Sequence, residues 1–451
     1  MPEPQALFEQ AAALMLQHLV PGVAIGWWKD GMHAAGFGVT SVDEPCPLDH
    51  HTLFQLSSIT KLLTAMATMR LADRGVLDVD APVCHYLTDL RLADPDVAAN
   101  VTLRHLLTHT GGWSSEPYFP DTGDDDQALQ RAVQDLARQP QVAPLGQFFS
   151  YSNNGYGLLG RVIEVVTNAR FEDAVHDLVV TPLGMSNTFL RAEQVPTDRV
   201  AWGHTRKGDV VRLDHRWVPR GSLPAAGAVS NVDDLLRFAR FALGDGTNDA
   251  GQRVVSEQAL REMQRPQVSC GPAGWMGMGW FGEEEGGATF LGHSGTWLGQ
   301  WPTFWLSREL QCALVVLTNG DGGKQVHQQL TRWAREQLLG VRPGVPPEVM
   351  QASPEALARV AGRYIRPESG VVHLFEVEGT GLRLRYEAAD GTPVGRREGV
   401  RVGLVSADRY VVLEGPQQDT VGKFLTDSLA QVRWVRAGLL VPREGELHRT
   451  R

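Results

Sequence analysis

The stretch Phe54-Gln55-Leu56-Ser57-Ser58-Ile59-Thr60-Lys61 opens a run of Ala, Leu, Met and Thr that extends to Arg74. This composition predicts a helix that is apolar nearly all round and is therefore buried. Residues three apart share one face of a helix, so Lys61 would direct its amine at the Ser58 hydroxyl. A serine nucleophile needs a base, and burial favours the neutral form of a lysine. For this motif alone, a helix-capping serine beside an unrelated lysine stays an open alternative.

A second motif, Tyr151-Ser152-Asn153, precedes an apolar helix. A tyrosine near a cationic group can fall in pKa and transfer a proton. The asparagine amide can donate a hydrogen bond to a substrate carbonyl. By itself, a tyrosine in this position more often serves packing, so the motif needs support from elsewhere in the chain.

The third motif, His293-Ser294-Gly295-Thr296, lies at the end of a predicted strand. A glycine in a strand lets a ligand approach the backbone closely. The N–H of Thr296 could then complete an oxyanion hole with the N–H of Ser58. The alternative is a structural histidine in a glycine-rich turn, with its ring nitrogens hydrogen-bonded within the protein. A G-x-S-x-G nucleophile elbow is excluded, because Thr296 stands where the last glycine is required and no alternating series of strands and helices surrounds it.

The pattern of apolar residues around these motifs predicts an α+β fold. Apolar residues recur at helical spacing in residues 5–19, and a mostly helical stretch runs from residue 58 to about residue 240. Strand patterns occur at residues 23–28, 34–39, 275–281, 289–292, 303–306 and 313–318, and the acidic residues 283–285 are predicted to form a solvated turn. A further helix follows the last of these strands. We therefore predict that residues 1–340 form an antiparallel sheet flanked by N- and C-terminal helices, with a helical subdomain between its halves.

The character of the chain changes after a proline-rich linker at residues 341–354. Beyond it, apolar and polar residues alternate in short runs that turn signals separate. This spacing is typical of a sandwich or a barrel. Residues 355–451 are therefore predicted to form a second, all-β domain.

In this order, the three motifs resemble those of the serine β-lactamase and penicillin-binding-protein superfamily. They resemble in particular its class C-like branch, which includes D-amino-acid peptidases, carboxylesterases and class C β-lactamases. Further segments that look like family segments are residues 103–112, 182–185, 224–227 and 315–320. The resemblance covers about residues 5–340. The β-rich tail, with Gly362-Arg363-Tyr364 near its start, is similar to the lipocalin-like domain appended to some of these enzymes.

The resemblance implies an acyl-enzyme mechanism without a cofactor. Ser58 would be the nucleophile, and Lys61 and Tyr151 would move its proton to the leaving group. Tyr151 would then activate the water that releases the acyl group. The residues that the resemblance places against the substrate are Asn153, His293, Ser294, Gly295, Thr296 and, by its position after the Gly-Gly pair, Glu116.

One departure from the family pattern bears on the substrate. β-Lactamases of this superfamily usually carry Lys-Thr-Gly where this chain has His293-Ser294-Gly295, and a histidine is not reliably cationic at neutral pH. The expected substrate is thus an ester or a D-amino-acid amide or peptide, with at most weak β-lactamase activity. The alternative is a penicillin-binding or sensor-type module that is acylated at Ser58 without efficient turnover.

Composition, charge and spacing indicate which partner, which location and which metal sites to expect. A net charge of −10 disfavours nucleic acid as a partner, so we expect a small molecule or a short peptide. No stretch is long and apolar enough for a membrane span, and the first residues lack a secretory signal, which predicts a cytoplasmic protein. His105 and His109 have the spacing of a zinc pair, but Leu106 replaces the glutamate of the zincin motif, so we predict no metal. Oligomeric state is left open.

Overall fold

The computed structural model describes residues 4–114, 121–214, 216–271, 274–342, 344, 347–415, 418–437 and 439–445. Its α-helices are α1 Pro4–Gln17, α2 Thr60–Asp73, α3 Pro95–Asn100, α4 Leu103–Leu107, α5 Ala128–Gln134, α6 Asn153–Thr167, α7 Phe171–Val175, α8 Leu223–Ala226, α9 Val232–Leu243, α10 Glu257–Gln264, α11 Gly323–Trp333 and α12 Pro354–Val360. Among the described helices, none combines the length and the apolar character that crossing a bilayer requires.

The strands of the first domain are β1 Gly22–Trp28, β2 Met32–Gly38, β3 Phe54–Gln55, β4 His204–Lys207, β5 Asp209–Arg212, β6 Val229–Ser230, β7 Val268–Ser269, β8 Gly274–Met276, β9 Phe281–Glu285, β10 Ala288–Ser294, β11 Thr303–Ser307 and β12 Cys312–Thr318. Eight of them form one antiparallel sheet in the order β2-β1-β12-β11-β10-β9-β8-β7. Val23 lies opposite Thr318, so strands from both ends of the domain pair at its centre. The predicted α+β sheet is confirmed.

Helices cover both faces of this sheet, because alternate side chains of each strand point to opposite sides. Val316 of β12 packs in a cluster with residues of α1 and α11. Its neighbour Val315 packs on the other side, in the cluster that contains α2 and α9. Helix α2 is buried along almost its whole length, as its composition predicts. The elements between β3 and β6 are mainly helices, which form the predicted subdomain.

One predicted strand is wrong in its bounds. Residues 275–281 contain the turn of a hairpin, in which Trp275 of β8 lies opposite Gly282 of β9. Gly279 takes a left-handed φ of +87°, which permits the turn, while Met278 and Trp280 are buried and mimic a strand pattern. The acidic residues 283–285 lie in β9 and not in a turn.

The tail is a nearly closed antiparallel barrel. Its strands are β13 Gly362–Ile365, β14 Val372–Glu378, β15 Gly381–Glu387, β16 Val400–Ser406, β17 Arg409–Val412, β18 Val421–Thr426, β19 Val432–Ala437 and β20 Leu439–Pro442. Each strand pairs with the next, and a bridge between Tyr364 and Arg443 links the first strand to the last. Buried rings of Tyr364, Phe375, Tyr410 and Phe424 pack together inside it. The division at residues 340 and 355 stays a prediction.

The barrel contacts the first domain next to the segment that leads to Tyr151. Trp434 of β19 packs with Ala143 and Phe148, and its indole N–H donates to the carbonyl of Val142 at 2.6 Å. Arg436, on the same strand, donates to the carbonyl of Ser269 at 2.9 Å. These contacts place the barrel beside the loop before Tyr151 and beside the edge strand β7.

Candidate active site

Ser58 lies in a 3₁₀ turn, Ser57–Ile59, directly before α2. The preceding Ser57 is buried and has a left-handed φ of +46°, a conformation that a non-glycine residue adopts only where its surroundings hold it. The Ser57 hydroxyl donates to the carbonyl of Thr296 at 2.9 Å. The turn is therefore fixed. Ser58 itself is only half-buried, so its hydroxyl remains accessible.

Lys61 is fully buried one turn further along, with its amine in the middle of a polar cluster. Its Nζ lies 3.2 Å from Ser58 Oγ. It also lies 2.8 Å from Asn153 Oδ1 and 2.8 Å from the carbonyl of Ala225. Burial lowers the pKa of Lys61 well below its ordinary value. All three partners are neutral oxygens, so none of them supplies the opposite charge that would offset the cost of a buried positive charge.

Hydrogen bonds from α2 hold the Ala225 carbonyl in position. The hydroxyl of Thr64 donates to the carbonyl of Pro224 at 2.7 Å. The N–H of Ala228 donates to the hydroxyl of Thr60 at 2.9 Å. Helix α8 is therefore clamped to the helix that carries Lys61.

Tyr151 completes the cluster and lies next to both Lys61 and Ser58. The Lys61 amine lies 4.8 Å from the centroid of the Tyr151 ring, and the phenol is hydrogen-bonded to the Ser58 side chain. Burial raises the pKa of Tyr151 above its ordinary value. The expectation that a nearby cation would lower this pKa is therefore wrong, because the same burial disfavours the charged form of Lys61.

His109 supports Tyr151 from behind. The two rings stack with centroids 4.3 Å apart, and the N–H of Ser152 donates to His109 Nδ1 at 3.0 Å. Burial, with the nearby Lys61 amine, lowers the pKa of His109 well below its ordinary value. The sequence analysis weighed His109 as half of a zinc pair with His105, rejected that pair, and did not place the residue beside Tyr151. Its position in the family-like segment 103–112 was the signal that could have found it.

His293 faces the cluster from β10. Its Nδ1 lies 2.6 Å from the carbonyl of Ser294, which accepts only, so the ring proton is on Nδ1 and Nε2 is left as an acceptor. Within the described part of the chain, the buried Nε2 has no partner. Burial and the Lys61 amine lower the pKa of His293 to about 3, which leaves the ring neutral at physiological pH.

The residues after His293 separate into two groups. Gly295 lies against the nucleophile turn, where an added Cβ would stand only 2.5 Å from the carbonyl of Leu56, and Thr296 is held there by Ser57. Ser294 is exposed and lines a cavity of about 640 Å³ that extends to His327 of α11. The structure thus brings Ser58, Lys61, Tyr151, Asn153, His293, Gly295 and Thr296 together, whereas the Ser294 side chain points away. Glu116 lies outside the described residues.

Comparisons with known proteins show the family to which the first domain belongs. The family model described as Beta-lactamase matches residues 5–339. Penicillin-binding protein 4 of Amycolatopsis lactamdurans is 32% identical over 369 residues, which cover 79% of this chain and 96% of that protein. Esterase EstB of Burkholderia gladioli is 30% identical over 361 residues, or 70% of this chain and 89% of that protein.

Among solved structures, the crystal structure of SurE aligns over nearly the whole chain. It covers 97% of this chain and 98% of its own, with 26% identity and a TM-score of 0.78. The alignment therefore includes the barrel as well as the first domain.

Proposed function

Since this chain belongs to the β-lactamase family, we propose that it is a serine hydrolase that forms an acyl-enzyme on Ser58 and cleaves an ester or a D-amino-acid amide or peptide. The observation that carries this proposal is the set of three contacts around the Lys61 amine. A neutral amine has two N–H donors and one lone pair. The two contacts of 2.8 Å, to Asn153 Oδ1 and the Ala225 carbonyl, use both donors. The lone pair is then left for the Ser58 hydroxyl at 3.2 Å.

The reaction begins when Ser58 Oγ attacks the substrate carbonyl while Lys61 accepts its proton. Tyr151 is a neutral phenol because of its raised pKa, so it donates its proton to the leaving group and is reprotonated from Lys61. In the second half, the same pair takes a proton from the attacking water, which releases the acid and restores Ser58.

Backbone donors stabilise the negative charge that develops on the carbonyl oxygen. The N–H groups of Ser58 and Thr296 form this oxyanion hole. The hydrogen bond between the Ser57 hydroxyl and the Thr296 carbonyl keeps the two segments together. Gly295 leaves room for that approach, and Asn153 holds the substrate from the opposite side.

His293 decides the preferred class of substrate. A ring with a pKa of about 3 carries no charge at neutral pH, so it cannot supply the cation that would hold the carboxylate of a β-lactam. Its free Nε2 instead accepts a hydrogen bond from an N–H or O–H of the substrate. An ester or a D-amino-acid amide is therefore favoured over a β-lactam.

Steady-state hydrolysis of three chromogenic substrates tests the proposal: a p-nitrophenyl ester, a D-alanyl anilide and a cephalosporin. We expect turnover of the ester or the anilide, and a loss of at least about 10³-fold in Ser58→Ala. Ser186→Ala, an exposed serine outside the cluster, is the matched control. Full activity in Ser58→Ala would overturn the mechanism.

Mass spectrometry distinguishes the alternative function. A penicillin-binding or sensor-type module would form an adduct on Ser58 that persists while no substrate of the panel is released. Relatedness to a penicillin-binding protein makes this the second candidate. That outcome would overturn the hydrolase and keep Ser58 as the acylated residue.

A further inference from the structure

His50, His51 and Asp233 form a compact cluster away from the residues of the proposed mechanism. His50 Nδ1 lies 2.9 Å from Asp233 Oδ1, and His51 Nδ1 lies 2.7 Å from Asp233 Oδ2. The two imidazole rings lie side by side with centroids 3.9 Å apart. Three side chains of metal-binding type therefore lie together, with one ligand atom of each within 4.8 Å of those of the others.

The backbone that carries these side chains is anchored. The N–H of His51 donates to Asp49 Oδ1 at 3.0 Å, and Arg199 donates to the carbonyl of His51 at 2.9 Å. Asp233 stands in the first turn of α9, whose position is set by the sheet beneath it. Because the backbone of the cluster is already fixed, little conformational entropy is lost when a ligand binds.

The donor set and its spacing suit a first-row transition metal. Two imidazoles with one carboxylate are a known combination for divalent ions of this row. With bonds of about 2.1 Å, neighbouring ligands of an octahedral ion lie about 3 Å apart, which matches the two nitrogen–oxygen distances of the cluster. The side chains of His50 and His51 are 33% and 53% exposed, so water can reach the remaining positions.

We propose that His50, His51 and Asp233 bind a divalent first-row transition cation, each histidine bonding the metal through Nδ1 and carrying its ring proton on Nε2. The site ties the loop before β3 to the start of α9. It is a structural site, because the proposed mechanism uses none of its three residues. The sequence analysis predicted no metal on the basis of His105 and His109. It did not consider His50 and His51.

Calorimetric titration of the chelator-treated full chain with Zn²⁺ tests the site. We expect one equivalent bound per chain, with affinity at least about tenfold weaker in His51→Ala and in Asp233→Asn. His176→Ala is the matched control, since His176 is another exposed histidine that contacts one aspartate, Asp177, but belongs to no such cluster among the described residues. It should bind like the wild type.

Co²⁺ gives an independent readout, because its visible absorption reports nitrogen coordination directly. A spectrum that His51→Ala abolishes supports the proposal even if Asp233→Asn fails to fold. Zn²⁺ binding that is equal in the wild type and His51→Ala, or lost equally in His176→Ala, would overturn it as adventitious surface binding. Ester hydrolysis should be unchanged in His51→Ala, so failure here leaves the proposed function untouched.

Discussion

The cluster around Lys61 and the interior of the barrel contain similar groups in similar surroundings. Burial lowers the pKa of His293 in the first and of His373 in the second, each to about 3. Burial likewise raises the pKa of Tyr151 and of Tyr364. The Tyr364 hydroxyl, however, donates to the carbonyl of Val360 at 2.8 Å, whereas Tyr151 contacts an accessible serine. A shifted pKa therefore reports burial, and chemistry also needs a reachable nucleophile beside a proton acceptor.

Replacing Lys61 should produce the largest effect. Lys61→Met removes the base and keeps a buried side chain of similar length, so we expect kcat/KM for ester hydrolysis to fall by about 10³-fold. The free energy of unfolding should not fall, since a buried amine without a charged partner is removed. Ester kinetics and urea unfolding measure both quantities. A loss of less than tenfold would show that Lys61 is not the base.

Tyr151→Phe is expected to lower kcat/KM by about 10²-fold, because the ring and its stacking on His109 remain while the proton relay is lost. We expect KM to change little, because the Tyr151 hydroxyl acts in the transition state and not in substrate binding. Steady-state kinetics with the ester separates kcat from KM. An effect confined to KM would instead assign Tyr151 to substrate binding.

Acid should destabilise the barrel through His373. Its folded-state pKa of about 3 lies below the ordinary value of 6.5, so the folded state binds fewer protons than the unfolded state between these values. The contribution of His373 to the free energy of unfolding is therefore fully present above pH 6.5. It decreases as the pH falls below 6.5, and about 2 kcal/mol of it is lost at pH 5. Urea unfolding of His373→Gln should lose less stability between pH 7.5 and pH 5 than the wild type. An identical loss in both proteins would refute this.

Tyr364→Phe should produce the smallest effect and sharpen the contrast with Tyr151. Loss of the hydrogen bond to Val360 is expected to cost about 1 kcal/mol of unfolding free energy. Ester hydrolysis should stay within twofold of the wild type, because this tyrosine faces no nucleophile. Urea unfolding and ester kinetics of the same preparation measure both. A large loss of activity would mean that the barrel interior takes part in the chemistry.

Sequence reasoning found the parts of the molecule that local periodicity encodes. The relation of Ser58 to Lys61 follows from helical spacing. The central strands β1 and β12 follow from short apolar runs, and the strands of the barrel follow from alternation of apolar and polar residues. What it missed depends on contacts between distant segments. The carbonyl of Ala225 is a backbone group that no side-chain pattern reveals, and the stacking of His109 on Tyr151 needs the tertiary fold.

The direction of the Tyr151 pKa shift illustrates the same limit. A neighbouring lysine suggests a lower pKa only if the lysine is charged, and the charge of Lys61 depends on burial that a linear sequence does not display. The turn in residues 275–281 was hidden for a related reason. Met278 and Trp280 enter the core from a loop, so burial there follows the packing of other elements and not strand periodicity.

The pairing of β1 with β12 has a consequence for the synthesis of the protein. Val23 and Thr318 are separated by about 300 residues, which a ribosome takes about 15 to 60 s to add. Throughout that interval the apolar strand β1 has left the ribosome without its central partner. The sheet, and with it the position of β10 against the Ser58 turn, can form only once β12 has emerged. Nascent chains therefore present β1 early with β2 on one side and an open edge on the other, which makes this edge a natural binding segment for chaperones during translation.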